Sequence, residues 1–506
     1  MTTLAELHSD QLVGTLSCFD RVILFGSLPD IGHAEAMQRY LGARNIRLFD
    51  YPKWAEPLRE ELRVNAERLA AEAGFSIEFI RSAKAFRKDE RIQEILAERG
   101  TQPGPVHIFS AMEPCTSYLP WHNKETHVTG LKRVEKKCLH YYFYFIDPVF
   151  GLAYLRVPTW APFRLQAYIN GHSWLERKLL SGGIAYQMLE NSFSYIADFE
   201  QAQRWADRMD AKQLHRHLDQ WAALYCPLRA HFPSGYHWSF HQVEYATDLV
   251  FRRQSELQPL YETLTRTAIH VVKPDHVATF LGRKLTSRST DEVGNRFDTR
   301  IAGTCIRHHL GPASLKLYDK HGLILRVETT LNDVSFLRTQ RTVQHHDGTA
   351  GQQVAPLKKS IYSLAPLRQL MNAANHRYLA FLAAIDHPDA GIKALNKLAT
   401  PAKVDDRSYR GFNLFLAFDL ALFQVLARGD WAITGFRAKD LREHLPELTA
   451  ARASYLLKRL RTHNIIKKIG NRYKYYLTKF GKAVLATGLV LREMVIVPKL
   501  QEQLAD

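Results

Sequence analysis

The sequence predicts a multidomain α+β protein, and three observations predict it. A chain of 506 residues is too long for one hydrophobic core. Short apolar runs alternate with helical periods at the start of the chain and give way to successive β-rich runs in its middle. The last hundred or so residues switch to short amphipathic helices and one strong hairpin signal. The expected order is an N-terminal α/β domain over residues 1–113, a central antiparallel sheet region with long helices over 136–398, and a C-terminal domain over 412–506.

The N-terminal part reads RVILFG, HAEAMQRYL, IRLFD, a charged helix from Trp54 to Ala73, SIEFI, a helix from Lys88 to Arg99, and VHIFSAM. Alternation of this kind predicts a small, mostly parallel sheet. Asp20, Asp50 and Glu113 flank its strands, but FGSLPD lacks the glycine-rich phosphate fingerprint. Residues 114–135 carry no period and read as a connecting loop.

The central region opens with KCLHYYFYFID and GLAYLRVP around the turn PVFG, then PFRLQAYIN and a helix from Ser173 to Leu180. Helical spacing predicts Phe199–Tyr225 and Phe240–Thr267 as two long helical segments. Residues 276–337 return to hairpins, 343–365 read as a loop, and Leu367–Ile385 and Asp389–Leu398 as helices. Turn formers gather in 399–411, the expected linker. The run Tyr141 to Phe145 either stacks unpaired bases or fills a core.

Composition bounds the partners. An apolar share of 46% and a charged share of 24% are those of a folded chain. An excess of 68 Lys+Arg over 51 Asp+Glu, net +17, favours polyanions through the long-range field and counterion release. Nucleic acid is the first candidate, with membrane surfaces and acidic substrates as the other options. Cys18, Cys115, Cys138, Cys226 and Cys305 are scattered without a CxxC pair, which fits a reducing cytoplasm and not a zinc ribbon. MTTLAELHSD has no signal-peptide pattern, and Arg492 and Glu493 interrupt the apolar stretch Val484–Val497, so no membrane segment is expected.

The C-terminal region is the most legible. FNLFLAFDLALFQVLARGD has core-helix spacing up to Gly429, AITGFRAKDLREHLP gives a short strand and a helix stopped by Pro446, and Thr449 is placed to cap a third helix reaching about His463. Tyr455, Leu456, Leu460 and Ile465 are its expected core face. IIKKIG and RYKYYLT, joined by Gly470-Asn471, complete a winged helix-turn-helix. Ten Lys or Arg and no Asp or Glu lie between Arg452 and Lys482, a natural set for phosphate contacts.

LLKRLRTHNIIKKIGNRYKYYLTKFGKAV resembles the recognition helix, wing and following helix of MarR-like regulators. The resemblance implies that Arg452, Ser454, Tyr455, Lys458 and Arg459 enter or border the major groove, with Arg472 and Lys474 nearer the backbone or minor groove. Arg461, Lys467 and Lys468 complete the basic set.

Candidate chemistry lies in ASLKLYDKHGLILRVETTLND. Strands pairing around His321-Gly322 would bring Tyr318 near Glu328, and a tyrosine beside a metal-holding carboxylate is equipment for nicking DNA. His308 or His309 would add a metal ligand or a base, and Mg²⁺ or Mn²⁺ is the expected ion. The segment is similar to the tyrosine and strand-glutamate run of Rep-trans type rolling-circle replication initiators, and it lacks the HxH pair of HUH nickases. The plain alternative is an ordinary cross-strand pair, with Asp319 and Lys320 shaping a turn. A second candidate is an RNase H-like carboxylate set of Asp147 with Asp198 or Asp248.

The function expected from these readings is DNA binding through the C-terminal domain, on duplex or single-stranded DNA, joined to metal-dependent nicking or processing for a mobile element or replicon. A large winged-helix regulator without catalysis and an RNA-binding factor are the other two readings.

Overall fold

The structure, a computed structural model, describes residues 3–81, 86–283, 293–300, 303–344, 348–386, 396–404, 406–427, 431, 435–469, 473–497 and 500. The chain is mixed α+β and forms two bodies, each assembled from separated stretches. Residues 1–13, 251–327 and 373–506 make the first, and residues 14–250 with 328–372 make the second. The expected boundaries at 113 and 136 fall inside long strands.

The strands of the second body include β1 (Leu12–Ser27), β2 (Glu78–Ile80), β3 (Gly104–His122), β4 (Thr129–Asp147), β5 (Gly151–Pro158), β6 (Leu165–Asn170), β7 (Tyr186–Met188), β8 (Phe193–Ile196) and β9 (His237–Phe251). Those of the first body include β10 (Val293–Arg300), β11 (Gly303–Leu310), β12 (Ala313–Lys320) and the start of β13 (Ile324–Leu331). In the second body the sheet order is β9-β1-β6-β5-β4-β3-β2, with residues 328–331 of β13 beside β9.

The parallel N-terminal sheet expected from the sequence is not what forms. β1 pairs antiparallel with β6, β4 with both β3 and β5, and β2 lies parallel to β3. The expected loop 114–135 is mostly β-ladder, running from Pro114↔Lys137 to His122↔Thr129. Pro114 and Pro120 hide it in the sequence. They stand six residues apart, so their backbone nitrogens face the same side, and a proline is tolerated where no ladder donor is needed.

Helices cover both faces of β4. Phe143 and Phe145 stack on Tyr225 of helix Ala211–Tyr225, while Tyr142 and Tyr144 share a core with Ile92 of helix Lys88–Arg99. The run Tyr141–Phe145 is therefore buried throughout and is no stacking platform. The segment read as one helix, Phe240–Thr267, is strand β9 followed by helix Gln254–Val271. The expected 343–365 loop contains half of a hairpin, Arg338–Gln344 with Ala350–Pro356.

In the first body β11 and β12 alternate from Ile306 onward, while Cys305 is buried on the other face. Ile306, His308, Leu310, Leu315 and Leu317 are buried, and the residues between them are partly exposed. The C-terminal stretch has helices Ala417–Leu426, Ala438–His444 and Ala450–Thr462, then the hairpin Ile466–Ile469 with Lys474–Leu477, and helix Lys479–Val490. Thr449 caps the third helix as expected, and Phe436 pairs with Tyr475 beside the hairpin. Gly429, Gly470, Asn471 and Arg472 lie outside the described residues.

Residues 399–411 are not a free linker. Ala402–Val404 pairs with Arg407–Tyr409, and the backbone after it is tied down by Arg459. The Arg459 side chain donates to the carbonyls of Arg410 (2.9 Å) and Gly411 (2.6 Å) and meets the Asp419 carboxylate at 3.3 Å. Its guanidinium also lies 3.7 Å from the Phe412 ring centre. Arg459 and Asp419 are 5% and 1% exposed, so this arginine belongs to the core.

Removing one partner of a buried pair strands the other, typically at about 3–5 kcal/mol. Arg459→Met should therefore lower the unfolding free energy measured in urea by an amount of that order, and with it the midpoint, while Lys458→Gln, on the exposed side of the same helix, stays within about 0.5 kcal/mol of the parent. Equal midpoints for Arg459→Met and the parent would refute the structural role.

Candidate metal centre

Strand alternation places the carboxylates of the second body. Cys18 and Asp20 are two residues apart on β1, Glu244 and Asp248 four apart on β9, and Glu328 and Thr330 two apart on β13, so each pair shares a strand face. One ligand oxygen from each of Asp20, Glu244 and Glu328 lies within 4.8 Å of the others. Asp20 and Glu328 are buried and Glu244 is half-buried, which leaves one carboxylate near solvent.

Neighbouring donors hold this arrangement. Asn170 and Asn191 each donate to Asp20 Oδ1 at 3.0 Å. Asn170 also caps helix Gly171–Ser181, its Oδ1 accepting from the His172 and Ser173 amides. Gly171 follows because a Cβ there would strike the Phe19 carbonyl. That close approach brings His172 to Asp20, Nδ1 to Oδ1 at 3.2 Å, with Nε2 3.7 Å from Asp248 Oδ2. The Thr330 hydroxyl stands 3.4 Å from Glu244 Oε1 and 3.3 Å from Glu328 Oε1.

His172 is 1% exposed. Burial opposes its charged form, but the Cys18 sulfur and the neighbouring carboxylates of Asp20 and Asp248 outweigh it and hold its pKa well above the ordinary imidazole value. Between two carboxylates, a protonated imidazole offsets their charge and fixes the Asp20 rotamer.

The group can hold a metal ion. Oxygens bound to one hard cation at about 2.1–2.4 Å are at most about 4.2–4.8 Å apart, the spacing present here. An all-carboxylate donor set suits hard divalent cations better than thiophilic ones.

Of the residues singled out in the sequence, Glu328 takes part. Tyr318 lies in the first body, half-buried on β12 opposite Cys305. Asp319 accepts from the Gly322 amide at 2.9 Å and closes the turn, as the plain alternative held. His308 and His309 are not part of the carboxylate group, and alternation sends them to opposite faces of β11. His308 is fully buried with Nε2 2.9 Å from the Tyr378 hydroxyl, and His309 lies over Gly294.

Asp147 and Asp198 are structural as well. Asp147 accepts from the Val149 and Phe150 amides and from Trp221, and Asp198 caps helix Phe199–Ala206. Asp248 does reach the centre, through His172. Glu244, His172, Asn170 and Asn191 were missed. Glu244 was absorbed into a helical reading of β9, and the other three gain meaning only from Asp20.

In the C-terminal stretch Arg452, Ser454, Tyr455, Lys458, Arg461 and Lys467 are exposed, and Lys468 and Lys474 are partly so. Tyr455 is 54% exposed and not core, because Leu457 takes the buried position beside Leu456. Among the described residues no helix is long and apolar enough to cross a membrane. No family model, no curated protein and no solved structure matches this chain.

Burial drives the His308 pKa down to about 4, so the unfolded chain, with an ordinary imidazole, protonates first as pH falls. Its contribution to stability is complete above about pH 6.5 and is lost between there and about pH 4, on the order of 3 kcal/mol in all. Urea unfolding at pH 7, 5.5 and 4.5 should show a shallower acid loss in His308→Gln than in the parent. Parallel pH dependences would refute this.

Proposed function

We propose that the protein is a metal-dependent nucleic-acid-processing enzyme whose second body cuts a phosphodiester at Asp20, Glu244 and Glu328. The observation that carries this reading is the convergence of three carboxylates from three strands within 4.8 Å, with two of them buried. Mg²⁺ or Mn²⁺ held by these three carboxylates would supply a Lewis acid for the phosphate and would acidify a water, whose attack on phosphorus breaks the P–O bond to one sugar and releases that sugar's hydroxyl. Asn170, Asn191 and His172 keep Asp20 aimed at the ion, Thr330 does so for the two glutamates, and half-exposed Glu244 marks the side from which a backbone enters.

The net charge of +17 suits a polyanionic substrate. The reading of the C-terminal stretch as a winged helix-turn-helix is supported by its three helices, the bridge at Phe436 and the two-stranded hairpin. In that role Arg452, Ser454, Tyr455, Lys458 and Arg461 face a DNA groove, and Lys467, Lys468 and Lys474 meet phosphates. It targets DNA for the cutting body, in keeping with a protein of a mobile element or replicon.

The test incubates labelled single-stranded DNA, duplex DNA and RNA with the full chain, with and without Mg²⁺ or Mn²⁺. DNA scission that needs the ion is expected. Disturbing a partner one layer away from a metal typically costs 10–100-fold in affinity or activity, so Asp20→Asn and Glu328→Gln should each cost about 100-fold or more. Binding without scission under every condition would leave the regulator reading, and RNA as the sole ligand would leave the RNA-binding reading. Attack by water predicts that Tyr318→Phe stays active. A covalent protein–DNA adduct that Tyr318→Phe abolishes would instead make the phenol the attacking group.

A further inference from the structure

Register arranges one face of the second body's sheet into two rungs. Tyr144 on β4 lies directly opposite Tyr154 on β5, which lies opposite Tyr168 on β6. In the next rung Tyr142 lies opposite Arg156, and Arg156 opposite Gln166. On each strand the two members stand two residues apart, so both rungs share one face. The Tyr154 ring centre lies 5.2 Å from that of Tyr144 and 5.2 Å from that of Tyr168, on which it stacks.

Helix Lys88–Arg99 covers part of this face, and a cavity of about 380 Å³ remains between its first turn and the tyrosines. Sites for small ligands span about 300–1,000 Å³, so the space suits one small molecule. Its walls hold unspent hydrogen-bonding groups. Tyr144 is 6% exposed, and among the described residues its hydroxyl has no hydrogen-bond partner. The Tyr154 hydroxyl accepts from Gln166 Nε2 at 3.0 Å, which leaves its proton to donate.

The charges around the cavity are of both signs. Lys88 and Arg156 are answered by Glu113, at 3.8 and 2.7 Å. Arg21 and Arg87 are exposed and form no ion pair with a described residue, and Asp89 and Glu90 bring carboxylates to the same walls. A ligand that uses all of these groups is flat and aromatic, has hydrogens for a carboxylate and ends in an anion. A cationic ligand is disfavoured, because the Lys88 ammonium already lies 3.4 Å from the Tyr142 ring centre.

We infer that the cavity binds one nucleotide through its base and its phosphate. The base lies against the Tyr154 ring, with the Tyr144 hydroxyl at its edge and its amino hydrogens toward Asp89 or Glu90. Arg21 and Arg87 take the phosphate. Arg21 follows Asp20 on β1, and adjacent strand residues point to opposite faces, so this site is separate from the carboxylate group and needs no metal ion.

The test titrates the full chain in EDTA with AMP, GMP and CMP, each bearing a base amino group, and with ribose 5-phosphate and inorganic phosphate as controls. One equivalent of nucleotide should bind, about tenfold or more tightly than either control, because only the nucleotide reaches the rings. Arg21→Gln combined with Arg87→Gln should weaken nucleotide binding about tenfold or more and leave nucleoside binding unchanged. Both arginines are exposed, so the parent's thermal midpoint should persist. Tyr154→Leu should weaken nucleotide and nucleoside alike. Asp20→Asn should leave nucleotide binding unchanged while scission is lost, which keeps this inference apart from the cutting reading. Competition by a 5′-phosphorylated oligonucleotide would place a strand's terminal nucleotide in the cavity, and its absence would assign the cavity to the free nucleotide. No saturable nucleotide binding up to about 1 mM, ribose 5-phosphate binding as tightly as nucleotide, or full affinity in the double arginine variant would each overturn the inference.

Discussion

Like charges cannot share a few ångströms of buried strand face unless something holds them there. Oxygens of Asp20 and Glu328 lie within 4.8 Å of each other, a separation at which two full charges would repel by about 3 kcal/mol or more at an effective dielectric of 20. Much of the local architecture around β1 answers that constraint. Asn170 caps a helix with one end of its amide and grips Asp20 with the other, and Gly171 lets the helix start against the Phe19 backbone. His172 then falls between Asp20 and Asp248. The Ser17 hydroxyl donates to Thr247 and Gln203 bonds the Ser17 backbone, so β1 is tied to β9 and to the helix Phe199–Ala206. A site built this way is preorganised, because its ligands are aimed by groups that are themselves fixed.

The first body separates its charges by purpose. Arg459 is spent on structure, and its bond to Asp419 and to the carbonyls of Arg410 and Gly411 docks the stretch before it onto the third helix. One position away Lys458 faces solvent, as do Arg452 and Arg461. The same residue type thus serves packing or surface according to its angle around the helix. His308 and His309 repeat the division on a strand, one neutral in the core and the other over Gly294 on the open face.

Some of this was legible in the sequence. Glu328 was visible because it follows an obvious turn at His321-Gly322, and Asp20 because it sits beside the apolar run RVILFG. The C-terminal helices, the Thr449 cap and the hairpin were readable because their signals are local. Glu244 and Asp248 were not. Their spacing of four is close to one helical turn and is also an even number, so it marks one face of a helix and one face of a strand alike. The charged pair mimicked a solvated helical face, and β9 was read as a helix.

The sequence by itself determined the mixed α+β character, the basic balance, the order of the C-terminal elements and the strand carrying Glu328, because periodicity, capping and turn chemistry act over a few neighbouring residues. Only the tertiary structure decided that β1, β9 and β13 bring Asp20, Glu244 and Glu328 together, that Tyr144, Tyr154 and Tyr168 fall into one row, and that Arg459 turns inward. These are facts of register and burial between segments far apart in the chain. A one-residue slip would send every one of those strand side chains to the opposite face, and nothing local to a strand fixes which neighbour it meets.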